Sequence, residues 1–244
     1  MKLEEILKEK FLYKKKLNIF KLIYFFSQFI KSKTKKISPS SRWGVDLILN
    51  DIFKNKKKGF YIDIGCHHPL INNHTYLFYK KGWNGINIDL DFNSIDMFNF
   101  FRPKDLNRQV ALSNDIVNTE FYFYHNRAAK NTISKQFGLD APKVKKIKTN
   151  TLNNLIYELK LQNQKIDFVN IDVEGNELNV LKGFDLKKFK PKVILLEYIR
   201  NDMTEFYQKD IDIIVNTELY KYMFKNDYKL INWNHDDLMF MLGE

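Results

Sequence analysis

The chain has 244 residues, of which 44% are hydrophobic and 28% charged, and its formal net charge at pH 7 is +11. This length and apolar fraction predict one globular domain with a sizeable core. The single cysteine, Cys66, excludes an internal disulfide and favours a reducing compartment.

The positive charge is concentrated at the start of the sequence. Residues 1–37 hold eleven Lys and three Glu, a net of +8, which leaves only +3 for the rest of the chain. Lysine greatly outnumbers arginine, and arginine is the side chain that contacts bases and phosphates through two parallel hydrogen bonds. We therefore expect no nucleic-acid partner.

Residues 1–37 are predicted to form a basic amphipathic helical arm, and residues 38–244 the main domain. Lysines flank an apolar stripe that lies on one helical face: Leu22, Phe25, Phe26, Phe29 and Ile30. We favour packing of this stripe on the domain or on a second subunit, which leaves an oligomer open. The alternative is weak association with an anionic membrane surface.

The start of the chain also bears on its location. The sequence Met-Lys-Leu-Glu-Glu places acids where a signal peptide would be basic. The apolar run 22–30 is too short to span a bilayer. We expect a cytoplasmic protein, with the inner face of the membrane as the site of any peripheral association.

Beyond the arm, predicted strands alternate with predicted helices. Strands are expected at 60–64, 86–88, 109–112, 120–124, 166–171, 192–196 and in two closing segments near 233 and 238–241. Helices are expected at 45–53, 72–81, 94–101, 152–161, 177–182 and 218–225, and residues 125–146 are predicted to be a mobile loop. This alternation predicts an α/β fold with a doubly wound, mostly parallel sheet.

Four acids lie at the carboxyl ends of the predicted strands: Asp63, Asp89, Asp172 and Glu197. The carboxyl ends of parallel strands share one edge of a sheet, and this edge binds ligands in doubly wound folds. Strand 60–64 ends at Gly65, and strand 86–88 ends at Asp89, whose carboxylate could accept hydrogen bonds from ribose hydroxyls. The alternative is that one or two of these acids cap the helices that follow.

Several fragments occur in an order that resembles the FkbM family of S-adenosylmethionine-dependent methyltransferases, over roughly residues 40–244. They are Trp43-Gly-Val-Asp46, Tyr61-Ile-Asp-Ile-Gly65, His68-Pro69, Gly82-Trp-Asn-Gly-Ile-Asn-Ile-Asp89, Val110-Ala-Leu-Ser113, Ile171-Asp-Val-Glu-Gly-Asn-Glu177 and Asp237-Leu-Met-Phe240. Cys66 departs from the family pattern, where a small residue such as alanine is usual. We interpret it as a tolerated small side chain rather than a catalytic thiol.

The resemblance implies a class I methyltransferase (Rossmann-like) fold, with a seven-stranded sheet and a final antiparallel strand. It also implies S-adenosylmethionine as cofactor and a set of contacts. Asp63, Gly65 and Cys66 would lie along the methionine part of the cofactor, Asp89 would hold the ribose, Leu90, Ala111, Leu112 and Ser113 would flank the adenine, and Asp172 would face the methionine amino group or the acceptor. The sequence has one glycine here rather than the Gly-x-Gly-x-x-Gly series, which disfavours a dinucleotide.

An oxygen acceptor needs a base to take its proton. His67 and His68 lie just past the glycine turn, and we expect at most one of them to be catalytic, since the other could bond backbone carbonyls and shape the turn. Asp172 and Glu174 are two residues apart, so an extended segment would direct both to the same side. These four residues are the predicted catalytic groups.

The same acids allow a second interpretation. Asp172, Glu174 and Glu197, near Glu177, could form a base or an oxygen-rich Mg²⁺ site, so a divalent metal is left open. The alternative is capping of the next helix by Asp172 and Asn176, with a dipole contribution from Glu177. The other histidines show no metal-ligand spacing.

The resulting prediction is an O-methyltransferase that acts on a sugar hydroxyl, in a nucleotide-linked sugar or a surface-polysaccharide (capsule or glycan) precursor. The sugar is implied by the resemblance alone. Arg127, Lys130 and Lys135 of the 125–146 segment could meet an anionic acceptor such as a sugar nucleotide. The alternatives are another acceptor (a phosphoramidate-like group, a lipid or RNA) and a membrane-peripheral binding module with a vestigial cofactor site.

Overall fold

The computed structural model describes residues 19–34, 41, 43–198 and 211–243. The helices are α1 (Ile19–Thr34), α2 (Val45–Ile52), α3 (Tyr76–Lys80), α4 (Phe92–Phe101), α5 (Lys135–Gly138), α6 (Leu152–Glu158), α7 (Glu177–Lys182), α8 (Leu186–Phe189), α9 (Ile211–Val215) and α10 (Glu218–Lys225). The strands are β1 (Phe60–Ile64), β2 (Asn84–Asp89), β3 (Leu106–Gln109), β4 (Ala111–Leu112), β5 (Asn118–Phe123), β6 (Lys143–Asn150), β7 (Phe168–Ile171), β8 (Val193–Glu197), β9 (Tyr228–Asn234) and β10 (Asp237–Leu242).

The main sheet has seven strands in the order β3-β2-β1-β7-β8-β10-β9. The first five are parallel, and β10 runs antiparallel to both of its neighbours. The central strands β1, β7 and β8 are short apolar runs buried on both faces, as expected of parallel strands covered by helices. The predicted doubly wound, mostly parallel sheet with an antiparallel closing strand is confirmed.

A second, smaller sheet with the order β4-β6-β5 is inserted between β3 and α6. The prediction of one loop over 125–146 is therefore wrong for α5 and for the start of β6. Strand β6 is rich in lysine and largely exposed, and an antiparallel ladder with β5 holds it. Backbone hydrogen bonds rather than burial fix this strand, so it lacks the apolar pattern that predicts strands.

Helix α3 is shorter than the helix predicted at 72–81. In the structure it begins only at Tyr76. The residues before it are irregular because their side chains turn toward strand β1. Asn73 Nδ2 and Thr75 Oγ1 donate hydrogen bonds to Asp63 Oδ2, at 2.9 and 2.8 Å. Short polar side chains that bond other groups in this way compete with helix formation.

Helix α1 packs on α4 by a face different from the predicted stripe. Tyr24 and Phe25 are buried with Met97, and Lys21 is buried in an ion pair with Asp96. Phe25 is the stripe residue that packs inward, whereas the others are exposed: Leu22, Phe26, Phe29 and Ile30. Packing of the whole stripe on the domain is therefore wrong, because the helix is rotated so that mixed polar and apolar contacts face the core, and packing on a second subunit stays a prediction.

A buried polar network lies against β1 and β2 and reaches the segment that holds Asp63, and we call it the Arg102 network. The Arg102 guanidinium is fully buried and donates to Asp105 at 2.9 Å, to Asn73 at 3.0 Å and to Thr75 at 2.8 Å. It also donates to the hydroxyl of Tyr61 at 2.6 Å. The network ties the chain after α4 to the segment that holds Asp63.

Candidate active site

A cavity of about 270 Å³ opens at the carboxyl ends of β1, β2, β7 and β8, where the sequence predicted a ligand site. The structure brings most of the predicted site residues to its lining: Asp63, Gly65, Cys66, His67, Asp89, Leu90, Ala111, Leu112, Asp172, Glu174 and Glu197. His68 and Ser113 are not among the lining residues.

Gly65 makes the sharp turn at the end of β1. Its φ is +78°, in the left-handed region, and a Cβ placed on it would lie 1.6 Å from the carbonyl oxygen of Asp172. Its N–H donates to Ile88 O at 2.9 Å. Only glycine fits both the conformation and the space, so this turn holds the ends of β1, β2 and β7 close together around the cavity.

Asp89 ends β2 with its carboxylate at the cavity. Oδ2 accepts the backbone N–H of His67 at 2.8 Å, and Oδ1 accepts that of Asp91 at 2.7 Å. Burial raises the pKa of Asp89 to about 7, and these two backbone hydrogen bonds limit the rise. Each oxygen keeps acceptor capacity for a further donor, which is what a pair of ribose hydroxyls requires.

Asp63 lies at the cavity floor and is 1% exposed. Besides its bonds to Asn73 and Thr75, it accepts a hydrogen bond from Asn170 Nδ2 at 2.9 Å. Both of its carboxylate oxygens are therefore held by the protein. Asp63 therefore has a structural role, because its carboxylate joins β1, β7 and the segment before α3 beneath the cavity.

Cys66 follows the glycine turn, with its thiol buried against Ile95 and Phe98. Burial raises the pKa of the Cys66 thiol well above its usual range, and the nearby charges of Asp89 and Asp63 add to the rise. A thiol in this environment stays protonated and unreactive.

The two adjacent histidines differ in what they contact. His67 lines the cavity in a left-handed conformation, with φ of 46°, and its Nε2 lies 3.2 Å from Arg127 O. His68 is buried, and its Nδ1 accepts the N–H groups of Leu70 and Ile71 at 3.0 and 3.2 Å. Its Nε2 lies 3.3 Å from Gln28 Oε1 of α1.

These contacts correct the prediction for His68. A ring nitrogen that accepts two backbone N–H groups is not available to take a proton, and the other nitrogen faces an amide oxygen rather than the cavity. His68 shapes the turn and joins it to α1. Ser113 is likewise outside the lining: its hydroxyl donates to Asn114 Oδ1 at 3.2 Å and its backbone N–H bonds Asn150 O.

Three carboxylates meet on the β7–β8 side of the cavity, and we call Asp172, Glu174 and Glu197 the acid cluster. Each offers an oxygen, and these oxygens all lie within 4.8 Å of one another. Glu174 is not in an extended segment as predicted. Its φ is +57°, and Thr132 Oγ1 donates to its carbonyl at 2.8 Å. A left-handed non-glycine residue in a tight turn is a strained conformation of the kind found at functional sites.

Crowding and burial shift the proton affinities of the acid cluster. Burial raises the pKa of Asp172 to about 7, although a hydrogen bond with Glu197 opposes the rise. Burial and the charges of Asp172 and Glu177 raise the pKa of Glu174 to about 8. Burial, with the negative charges of the other acids, raises the pKa of Glu197 furthest, to about 12. The cluster therefore holds protons at neutral pH, and its members exchange them there.

Glu177 is a separate case. Its Oε1 accepts the backbone N–H groups of Val173 at 3.1 Å and Gly175 at 3.0 Å, and the residue is buried at the start of α7. The sequence offered a dipole contribution to the helix for Glu177, whereas the structure shows its carboxylate bonding the turn before α7. Its carboxylate fixes the turn that carries Glu174.

The structure adds His74, which sequence reasoning missed, and gives Arg127 contacts that the sequence did not predict. His74 lines the cavity, with Nε2 3.7 Å from Asp237 Oδ1, and its charge affects Asp172. Arg127 is buried at the cavity beside the Asp89 end, where it donates to the hydroxyl of Tyr24 of α1. Both residues lie in irregular segments, so no periodicity or spacing predicted that they line the cavity.

Comparison with known proteins gives the class that this fold and site define. The methyltransferase FkbM domain family matches residues 63–230. This match covers more than half of the chain, so the protein belongs to the FkbM family of S-adenosylmethionine-dependent methyltransferases. The family resemblance inferred from the sequence is confirmed.

The chain is also similar in fold to solved methyltransferase structures. One is a TehB-like SAM-dependent methyltransferase from Corynebacterium glutamicum, with 11% identity and a TM-score of 0.44 over 91% of this chain and 97% of that chain. Another is the O-methyltransferase from Bacillus cereus in complex with SAH, with 9% identity and a TM-score of 0.41 over 99% of this chain and 96% of that chain. The search of curated proteins found no match.

Proposed function

We propose that this protein transfers the methyl group of S-adenosylmethionine to a hydroxyl of a sugar, carried by a nucleotide or a surface-polysaccharide precursor, in the cytoplasm. The observation that carries the proposal is the acid cluster beside the cofactor cavity. Its carboxyl groups have pKa values of about 7 and 8 at Asp172 and Glu174, which suits proton transfer near neutral pH.

The residues of the cavity fit the cofactor. Gly65 lets the end of β1 lie directly against the Asp172 carbonyl at the cavity, and Asp89 presents a carboxylate at the end of β2. The cofactor supplies a methyl group on a positively charged sulfur, so the protein does not have to activate the electrophile. What remains for this chain is to align the acceptor and remove its proton.

The positions of Asp89 and Asp172 are consistent with a cofactor at one end of the cavity and an acceptor at the other. Asp89 follows β2 and Asp172 follows β7, on opposite sides of β1. A ligand whose ribose contacts Asp89 and which passes over Gly65 reaches the acid cluster at its other end. Asp172 and Glu174 are then the groups positioned to take the hydroxyl proton, and Glu197, which holds its own proton, supports them by hydrogen bonding to Asp172.

The charge of the cluster favours a neutral acceptor. Asp236 and Asp237 extend the negative lining, so a phosphate or phosphoramidate at the transfer point would meet several carboxylates. A sugar ring instead offers several hydroxyl donors, for which carboxylates are good acceptors. Lys130 is exposed, and its positive charge lowers the pKa of Glu174. Lys130 is therefore placed to attract a more distant phosphate of a sugar nucleotide.

The test has two stages. Calorimetry with S-adenosylhomocysteine is expected to show micromolar-range binding, with NAD as the negative control. Transfer of labelled methyl groups is then measured on a panel of nucleotide sugars, free sugars, a phosphoramidate, a lipid and RNA. Asp172→Asn is expected to retain S-adenosylhomocysteine binding and to lose at least a hundredfold in turnover, about 2.7 kcal/mol.

Asp115→Asn is the matched control, since Asp115 is an exposed acid outside the cavity lining. Its turnover should equal that of the unchanged protein. Methylation of the phosphoramidate, lipid or RNA in preference to every sugar would refute the sugar assignment. Absence of S-adenosylhomocysteine binding would instead favour the vestigial cofactor site.

A further inference from the structure

We propose that the outward face of α1 is a docking surface for an anionic lipid bilayer. The outward face consists of Ile19, Leu22, Ile23, Phe26, Phe29 and Ile30, all of which are exposed. The inference does not depend on which acceptor the enzyme methylates, and its occupant is a lipid surface rather than another macromolecule.

The opposite face of α1 is fixed to the domain, so the helix cannot rotate to bury this stripe. Lys21 forms a buried ion pair with Asp96, and Gln28 Oε1 lies 3.3 Å from His68 Nε2. Tyr24 accepts a hydrogen bond from Arg127. These polar contacts would be lost on rotation, and unpaired buried polar groups are costly.

The outward face is unusual for a surface helix. Phe26 is 65% exposed and its neighbours on the same face are apolar as well, whereas exposed apolar residues on soluble proteins are normally scattered. The 16 residues of α1 contain no acid. Phe100 of α4, also exposed, lies beside α1, with its ring centroid 5.1 Å from that of Phe25.

The charges around this face select an anionic partner. Lys31 and Lys33 are exposed in the last turn of α1, and the sequence continues into Lys35 and Lys36. Residues 14–16, shortly before the helix, are also lysines. An apolar stripe flanked by lysines fits an interfacial helix on anionic lipid, where the apolar side chains enter the acyl boundary and the lysines meet the headgroups.

The same charges disfavour a second copy of the chain on this face. In a two-fold symmetric pair the same patch contacts itself. Parallel helices would place Lys31 and Lys33 of one copy against those of the other. This arrangement brings like charges together without an acid on α1 to offset them.

None of the helices in the described part of the chain combines the length and apolar character needed to cross a bilayer. The docking proposed here is therefore in the plane of the membrane surface. Because α1 contacts the loop of His68 and the segment of Arg127, a docked helix would hold the cavity at a fixed orientation to the lipid.

The test is flotation of the full chain with vesicles of phosphatidylcholine alone or with 3:7 phosphatidylglycerol to phosphatidylcholine, on the order of the anionic content that attracts polybasic segments. We expect flotation with the anionic vesicles, at least tenfold weaker binding to the neutral ones, and weakening by added salt. The double variant Phe26→Glu/Ile30→Glu is expected to lose at least tenfold in affinity, and Lys31→Ala/Lys33→Ala a similar amount.

Phe224→Glu is the matched control, because Phe224 is 64% exposed on α10, nearly the same as Phe26. Its flotation should be unchanged, and all variants should keep the thermal midpoint and S-adenosylhomocysteine affinity of the unchanged protein. Three results would overturn the proposal: no flotation, equal binding to neutral and anionic vesicles, or a dimer in sedimentation that Phe26→Glu/Ile30→Glu converts to monomer.

Discussion

The Arg102 network and the acid cluster are both sets of buried polar groups near one edge of the same sheet, and they differ in how their charges are compensated. In the Arg102 network, Asp105 faces a guanidinium at 2.9 Å, and Asp63 accepts bonds from three neutral donors. In the acid cluster, carboxylates face other carboxylates, and burial raises their pKa values.

This difference separates structure from chemistry. A buried charge with its full set of partners stabilises one geometry and has nothing left to offer a ligand. Crowded carboxylates without a compensating cation destabilise the fold, and such an arrangement is expected where proton transfer or ligand binding makes use of it. Under the function proposed above, the Arg102 network supports the cofactor side of the cavity, and the acid cluster takes the proton of the acceptor.

The largest effect on stability is expected when the cation of the Arg102 network is removed. Arg102→Met should lower the free energy of unfolding by about 3–5 kcal/mol, because Asp105 would be left as a buried charge without its partner. Urea denaturation followed by circular dichroism measures the change. Lys54→Met, which removes an exposed pair with Asp51, is the control and should change stability by about 0.5 kcal/mol or less. A loss at Arg102 as small as this would show that the network is dispensable.

The next largest effect is expected at the cofactor end of the cavity. Asp89→Asn should weaken S-adenosylhomocysteine binding at least a hundredfold, about 2.7 kcal/mol, since the amide nitrogen would face the N–H group of either His67 or Asp91 and could not accept a ribose hydroxyl. Calorimetry measures it, with the exposed Asp51→Asn as control.

The pKa of Asp89 also predicts that the affinity for S-adenosylhomocysteine depends on pH. Under the ribose assignment, the carboxylate form of Asp89 accepts the ribose hydroxyls, and burial raises the pKa of Asp89 to about 7. Affinity should therefore fall as the pH is lowered through 7, by up to tenfold per unit below it. Affinity that does not vary between pH 6 and 8 would remove the ribose assignment from Asp89.

Replacing a member of the acid cluster should raise the free energy of unfolding, whereas Arg102→Met should lower it. Glu197→Gln should raise the free energy of unfolding by about 2 kcal/mol at pH 8. The folded-state pKa of Glu197 is raised above the unfolded value near 4.3, so the folded state binds more protons and stability falls as the pH rises above about 4.5. The amide removes that penalty, so the gain should be small at pH 5.

Thermal unfolding at pH 5 and pH 8 checks this, and the midpoint should rise by about 4–8 °C at pH 8. Glu218→Gln is the control, an exposed acid beside Lys221. Destabilisation by Glu197→Gln at both pH values would mean that the cluster is a satisfied structural network like that of Arg102.

The smallest effect is expected from removing divalent cations, and it tests whether the acid cluster acts as a base or binds a metal ion. If Asp172 and Glu174 act as bases, removal of divalent cations with EDTA should leave turnover within about twofold, and kcat/KM should rise with pH through 7 to 8 as the bases lose their protons. Turnover that is lost in EDTA and restored by Mg²⁺ would assign the three carboxylates to a cation instead.

The sheet and the rim of acids could be predicted from the sequence because each rests on a local signal. Strands β1, β7 and β8 are apolar runs that end at a glycine or an acid, and parallel strands bring their ends to one edge. That reasoning alone placed Asp63, Asp89, Asp172 and Glu197 together. It did not separate Asp63, whose carboxylate oxygens are both taken by partners distant in sequence, from the acids that keep acceptor capacity for a ligand.

The parts that could not be predicted depend on tertiary contacts. The pattern of α1 shows an apolar face but not whether the domain covers it, and buried Lys21 could not be distinguished from the exposed lysines. The location of His68 is fixed by Gln28, forty residues away. Glu174 adopts its left-handed turn because Thr132 and Glu177 hold the backbone around it.

Cys66 gives the molecule an intrinsic reporter. It is the chain's single cysteine, its thiol is buried at the cofactor turn, and its raised pKa keeps it protonated. A maleimide or disulfide reagent can react with it only when the turn opens, so the rate of thiol modification measures the opening of that turn rather than the chemistry of the thiol. A ligand that closes over Gly65 should slow this reaction, which makes cofactor occupancy measurable without an acceptor and without turnover.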